Sequence, residues 1–174
     1  MNKSKVFGLI FVLLLGSVGF YFLSSINHET PPVGLIPNTL LDNQSKEVSS
    51  DQLSGKYVGL YFSASYCGPC ISFTPELIRF RNKYQEEFEV ILVGGDGSAK
   101  DQARYIKKLD MPWLAMINQS EAAKKASKEL GVLLIPSLVI LDPSGNVISK
   151  KGVDELLLLK EGAMDFWKSA TKGA

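Results

Sequence analysis

The chain is short of the residues from which most catalytic and metal centres are built. Its 174 residues include two cysteines and one histidine. A structural zinc site takes about four ligands, and two thiols with one distant imidazole cannot supply them. No metal is expected. Covalent haem attachment needs a histidine after the second cysteine, and Ile71 stands there. Two cysteines make no disulfide framework. Charge is equally sparse: the net is +1 with no long basic run, which gives no reason to expect a nucleic-acid partner. No internal repeat or low-complexity stretch appears. Gly94-Gly95-Asp96-Gly97-Ser98 follows an apolar run, but its spacing fits neither a dinucleotide nor a P-loop pattern, and no Lys-Ser/Thr pair follows. It reads as a strand-to-helix turn with Asp96 or Ser98 as N-cap. No nicotinamide or flavin site is visible, and no cofactor is expected.

Apolar residues make up 45% of the chain and charged residues 21%, enough for one folded domain with a proper core. Residues 1–5 read as a cytoplasmic n-region carrying Lys3 and Lys5. An uncharged apolar run of about 18 residues follows, over 6–23. That is longer than the usual h-region of a cleaved signal and at the lower edge of a spanning helix. It is read as an uncleaved transmembrane anchor, with a cleaved signal as the alternative and a buried soluble helix as a third. Two lysines before the run, and no Lys or Arg after it until Lys46, orient the amino terminus inward. The domain is thereby expected outside the cytoplasm, held at the membrane or released after cleavage. Residues 24–34 form a polar linker with Pro31-Pro32. His28 lies in it and reads as solvated. The folded domain is placed over 35–172.

Within that domain, Leu35 to Leu41 contains Pro37 and reads as at most an edge strand or a lead-in. Ser49 to Leu53 reads as one helical turn, and Tyr57 to Ala64 as a central strand apolar on both faces. Phe73, Leu77, Phe80 and Tyr84 lie at spacings of four, three and four, an amphipathic helix with Pro75 inside it. Phe88 to Gly94 is a second strand, and Ala99 to Leu109 a helix. Met111 to Met116 returns toward the sheet. Ser120 to Leu130 is a lysine-rich helix stopped by Gly131, with Lys124, Lys125 and Lys128 on a solvated face. Leu133 to Leu141 reads as a strand entered through Pro136. Asp142-Pro143-Ser144-Gly145 turns it back into a hairpin with Asn146 to Ser149. Leu156 to Ala170 is the last helix. Trp113 and Trp167 read as packing residues. Strands and helices alternate and end in a hairpin, so a mixed central sheet with helices on both faces is predicted, an α/β fold.

The two cysteines, Cys67 and Cys70, sit where the central strand gives way to the kinked helix. A thiol at a helix N-terminus lies beside unpaired backbone N–H groups at the positive end of the dipole. Such a setting can lower a cysteine pKa from about 8.5 to roughly 3.5–7.5. The second thiol, one turn on, is close enough to attack a mixed disulfide formed on the first. A disulfide across so short a loop removes little chain entropy, so stability explains it poorly.

Cys67-Gly68-Pro69-Cys70 after an apolar strand, with Ile135-Pro136 entering a later one, resembles the thioredoxin superfamily. Tyr61-Phe62-Ser63-Ala64-Ser65, Phe73-Thr74-Pro75-Glu76-Leu77, Met111-Pro112-Trp113-Leu114-Ala115 and Asp165-Phe166-Trp167 are similar to its tryparedoxin and nucleoredoxin branch. The likeness covers about Leu35 to Trp167, and the amino-terminal run adds a similarity to membrane-tethered thioredoxin-like proteins of the bacterial periplasm. The resemblance implies a thioredoxin-like fold, with Cys67 as nucleophile and Cys70 as resolving thiol of a redox-active disulfide. It also implies a cis Pro136, with Tyr66, Gly68, Pro69, Ile135 and Pro136 contacting substrate. Two positions depart from the common pattern. Tyr66 stands where most relatives have Trp, and Tyr61 where thioredoxins carry a buried acid.

Three functions compete. The first is a monomeric thiol–disulfide oxidoreductase that reduces disulfide-bearing exported proteins and is recharged by a membrane electron donor. The second is a disulfide oxidase or isomerase on the same scaffold, and the third a tethered, non-catalytic binding module. Gly68-Pro69 between the cysteines resembles reducing members, which favours the first.

Overall fold

A computed structural model of the protein describes residues 34–171. The n-region 1–5, the apolar run 6–23, His28 and all of the linker before Gly34 lie outside the described residues. Among those described, no helix is long and apolar enough to cross a membrane.

Seven strands form one mixed sheet: β1 (Thr39–Leu41), β2 (Glu47–Ser49), β3 (Tyr57–Ser63), β4 (Phe88–Gly94), β5 (Leu114–Ala115), β6 (Ser137–Leu141) and β7 (Val147–Ser149). Their spatial order is β2-β1-β5-β4-β3-β6-β7. β4 runs parallel to β3 and β5 on its two sides, whereas β6 runs antiparallel to β3. The helices are α1 (Gly68–Lys83), α2 (Ala99–Lys108), α3 (Glu121–Leu130), α4 (Gly152–Leu159) and α5 (Ala163–Thr171).

Period-two alternation divides the strands between two cores. Tyr61, Val90, Leu92, Leu138 and Ile140 face Phe73, Leu77 and Phe80 of α1, together with Tyr105, Leu156 and Trp167. Val58, Leu60, Phe62, Ile91 and Val139 face Ala123, Ala126 and Leu130 of α3. The predicted apolar stripe of α1 is therefore the face it buries. Trp113 and Trp167 are both buried, as packing residues should be, and Trp167 stacks on Phe88. Gly59 of β3 is required by this packing, because a Cβ there would lie 2.9 Å from the Phe88 ring and 3.0 Å from Leu138.

Three expectations need correction. β1 is not an edge strand: it lies between β2 and β5. The edge is β2, a three-residue polar strand whose pairing through a short turn carries no apolar period to reveal it. The strand expected from Leu133 starts only at Ser137. Pro136 has no N–H for a ladder, and Leu133 and Leu134 are left 91% and 82% exposed. The single last helix is two, α4 and α5, joined by a 3₁₀ turn over Lys160–Gly162. Lys160 takes a positive φ of 52°, a conformation no helix interior accommodates. The break lets Trp167 on α5 reach back and donate its indole N–H to Glu155 of α4 at 2.7 Å.

Candidate functional site

β3 is buried from Val58 onward and delivers the chain to a turn, Ala64 to Tyr66, at the end of the sheet. Cys67 then caps α1. Its backbone is extended, its N–H donates to the Ala64 carbonyl at 3.1 Å, and its Sγ accepts the N–H of Cys70 at 3.2 Å. Pro69 occupies the first turn, where a missing N–H costs no helical bond. Cys67 and Cys70 form a disulfide with their Cα atoms 5.2 Å apart.

The two sulfurs are not equivalent. Cys67 retains 8% of its surface and Cys70 none. Cys67 is thus the more accessible residue of the pair, and Cys70 is closed off from solvent. The first turn of α1 carries no acidic side chain to oppose a thiolate. The helix dipole and the Cys70 N–H both favour negative charge on Cys67 once the bond is opened.

Beneath Cys70 lies a closed polar cluster. Tyr61 donates its hydroxyl to the Cys70 carbonyl at 3.1 Å and lies 3.1 Å from the Thr74 hydroxyl. Thr74 donates to the same carbonyl at 2.9 Å. Burial pushes the Tyr61 phenol up to about 12. Tyr61 therefore stays neutral at physiological pH. Its hydroxyl ties the start of α1 to β3.

The turn before Cys67 is held from outside by the loop after β4. Asp96, almost fully buried, accepts the Ser65 N–H on Oδ1 at 3.1 Å, while its Oδ2 has no partner. Its own carbonyl takes the amides of Asn118 and Gln119 at 3.0 and 3.3 Å. Of the two candidates for capping α2, Ser98 does so, accepting the Asp101 N–H at 3.1 Å. Asp96 folds back onto the cysteine turn instead. That role spans a separation of 31 residues, so no local signal could have shown it. Tyr66 lies across Gly95 and donates its hydroxyl to that carbonyl at 3.2 Å.

The Ile135–Pro136 bond is cis. Ser137 pairs with Phe62, so Pro136 enters β6 at the end of the sheet where β3 runs into the cysteine turn. Tyr66 and Ile135 line one cleft, whereas Gly68 and Pro69 stand exposed on the first turn of α1. Among the described residues no group of three or more His, Cys, Asp or Glu side chains could hold a metal ion.

A family model described as thioredoxin-like matches residues 55–147. The nucleoredoxin of Xenopus laevis is 40% identical over 127 residues, which cover 71% of this chain and 30% of that protein. The chain thus spans only about a fifth to a third of the nucleoredoxins it matches. The tryparedoxin of Trypanosoma brucei brucei is 38% identical over 133 residues, covering 74% of this chain and 91% of its own length. The crystal structure of tryparedoxin I from Crithidia fasciculata superimposes with a TM-score of 0.66 at 39% identity, over 75% of this chain and 90% of that one. The chain belongs to the thioredoxin-like family of disulfide oxidoreductases, in the branch of the nucleoredoxins and tryparedoxins, with Cys67 and Cys70 as its Cys-X-X-Cys pair.

Proposed function

We propose that the protein works in the reducing direction on disulfides of exported proteins. The observation that carries the thiol–disulfide chemistry is the asymmetry of the pair: a slightly exposed Cys67 at a helix N-terminus backed by a wholly buried Cys70. Cys67 thiolate attacks one sulfur of the substrate disulfide. A bond forms between Cys67 and that sulfur, and the other substrate sulfur leaves as a thiolate and takes a proton. Cys70, as thiolate, then attacks the Cys67 sulfur. The Cys67–Cys70 bond closes and the substrate's remaining sulfur departs as the second thiolate. The substrate gains two electrons and the protein loses two. Tyr66, Gly68, Pro69, Ile135 and Pro136, around the sulfurs, receive the substrate chain.

Location and direction rest on the sequence. The apolar run over 6–23 with its two preceding lysines supports an anchor or export signal. Gly68-Pro69 supports the reducing direction by likeness to reducing relatives. In an oxidising compartment the closed disulfide must be reopened, so a membrane dithiol donor supplied from the cytoplasm completes the cycle.

Equilibration of the protein in dithiothreitol or glutathione buffers measures its potential. A value below about −250 mV, near that of thioredoxin, is expected for a reductase. A value above about −150 mV would make it an oxidase or isomerase. No reversible couple would leave only a binding role.

A further inference from the structure

β3 and β4 end side by side. Ser63 pairs with Gly94, and the Gly95 N–H donates to the Ser63 carbonyl at 2.8 Å. The next residue along from β4 is Asp96. The next residues along from β3 form the turn into Cys67, closed by the Cys67 N–H on the Ala64 carbonyl at 3.1 Å. The parallel register thus lays a carboxyl group against the cysteine turn, and its Oδ1 takes the Ser65 N–H at 3.1 Å.

The exchange chemistry leaves this carboxyl group unused. It is 1% exposed, and its Oδ2 is buried with no hydrogen-bond partner among the described residues. No Lys or Arg of the described residues pairs with it. An asparagine oxygen would accept the Ser65 N–H as well, so holding the turn does not call for an acid. A buried carboxylate with one oxygen unmet is unfavourable, and its presence in a folded protein calls for a reason.

Charge supplies one. Cys67 lies two residues on from Ser65. The dipole of α1 and the Cys70 N–H draw negative charge onto Cys67, and the first turn of α1 has no acid to oppose them. A carboxylate at Asp96 does oppose them. It raises the free energy of a thiolate and leaves the uncharged disulfide alone. In a protein interior, two unit charges roughly 10 Å apart move an equilibrium by about an order of magnitude.

We infer that Asp96 sets the redox poise of the pair: its carboxylate opposes a thiolate on Cys67 and so makes the dithiol a stronger reductant. The inference deepens the reducing function proposed above and rests on Cys67 and Cys70 being the exchanging pair. Asp96 is a positioning residue, because it fixes a charge against the cysteine turn and, being buried, meets no substrate.

The test is the equilibrium of the full-length protein with dithiothreitol at neutral pH. The protein disulfide gains two electrons and two hydrogens, and dithiothreitol closes to its cyclic disulfide. Cys67 then releases its proton to solvent to the extent that the thiolate is favoured. Asp96→Asn removes the charge and keeps an oxygen for the Ser65 N–H. It is expected to move the equilibrium about fivefold toward the protein dithiol, or about 20 mV for a two-electron couple. The reduced variant should also show stronger ultraviolet absorbance from thiolate. Asp96→Ser, smaller and neutral, should move the equilibrium the same way. Asp96→Glu, which keeps the charge, should stay within about twofold of the parent.

An unchanged equilibrium in both neutral variants would overturn the inference whatever they do to stability, because a purely structural group supports the disulfide and the dithiol alike. So would a shift in Asp96→Glu as large as that in Asp96→Asn. Failure of both neutral variants to fold would assign Asp96 to the frame of the turn and overturn the inference too. A parent potential in the oxidase range would overturn the reducing direction, while the shift in Asp96→Asn would still uphold the effect of the charge. A parent with no reversible couple would overturn the exchanging pair and the inference together.

Discussion

Two segments face each other across the mouth of the site, and they are built in opposite ways. In the turn from Ala64 to Cys70, three backbone N–H groups have named partners: that of Ser65 on Asp96, that of Cys67 on Ala64, and that of Cys70 on the Cys67 sulfur. Buried Tyr61 and Thr74 hold it from below. The segment from Val132 to Pro136, across the cleft, is anchored at its start by the Val132 N–H on the Ser127 carbonyl and at its end by the entry into β6. Between those anchors its leucines project into solvent. Disulfide exchange needs sulfurs aligned to within a fraction of an ångström, which only a packed and hydrogen-bonded frame can hold. Recognition of a polypeptide needs exposed apolar surface that can adjust to what arrives. The molecule keeps its hydrogen-bonded frame and its exposed apolar surface on separate segments.

Substitutions on the two sides should separate accordingly. The largest effect is at the sulfurs. Cys67→Ser should abolish reduction of any disulfide, because no other thiol reaches the surface. Cys70→Ser should still attack but stall, leaving a mixed disulfide with substrate that is visible by mass and released by dithiothreitol. Turnover by Cys67→Ser would break the assignment of nucleophile. Next is the frame beneath α1. Leu77 has no exposed surface, and Leu77→Ala should lower the stability of the domain by about 2–5 kcal/mol in denaturant unfolding.

Smaller is Tyr61→Phe, which removes the hydroxyl bonded to the Cys70 carbonyl and should cost about 1 kcal/mol near neutral pH. Its distinguishing signature is in alkali. Burial raises this phenol from its ordinary value near 10 to about 12, so between those values the unfolded chain has lost the proton that the folded chain keeps. The stability tied to the neutral phenol is complete below about pH 10 and is lost as pH rises toward 12. Tyr61→Phe should flatten that part of the decline, and an alkaline slope unchanged in the variant would remove Tyr61 as its source. Least affected is Leu134→Glu, on the open side. Its stability should stay within about 0.5 kcal/mol of the parent, and a larger loss would show that this segment is part of the frame after all.

The parts of this fold legible in the sequence are those that local chemistry imposes. The apolar runs of β3 and β4, the stripe Phe73, Leu77 and Phe80, and the stop at Gly131 each follow from side chains within a turn or two of one another. So does the redox centre: a Cys-X-X-Cys spacing across a strand-to-helix junction sets one thiol at the helix N-terminus whatever surrounds it. Three-residue β2 escaped because a strand that short has no period to read.

What the tertiary structure decided are the features that depend on residues far apart in the chain. Burial under the rest of the fold separates Cys70 from Cys67. Asp96 is aimed at Ser65 by the parallel pairing of β3 with β4, which brings the ends of both strands together. Pro136 starts β6 late, so that Leu133 and Leu134, apolar enough to pass for strand, stand in water. Local composition determines what a segment can form and what chemistry its side chains can perform. Which side chains are covered and which meet a partner depends on contacts that exist only once the sheet has assembled.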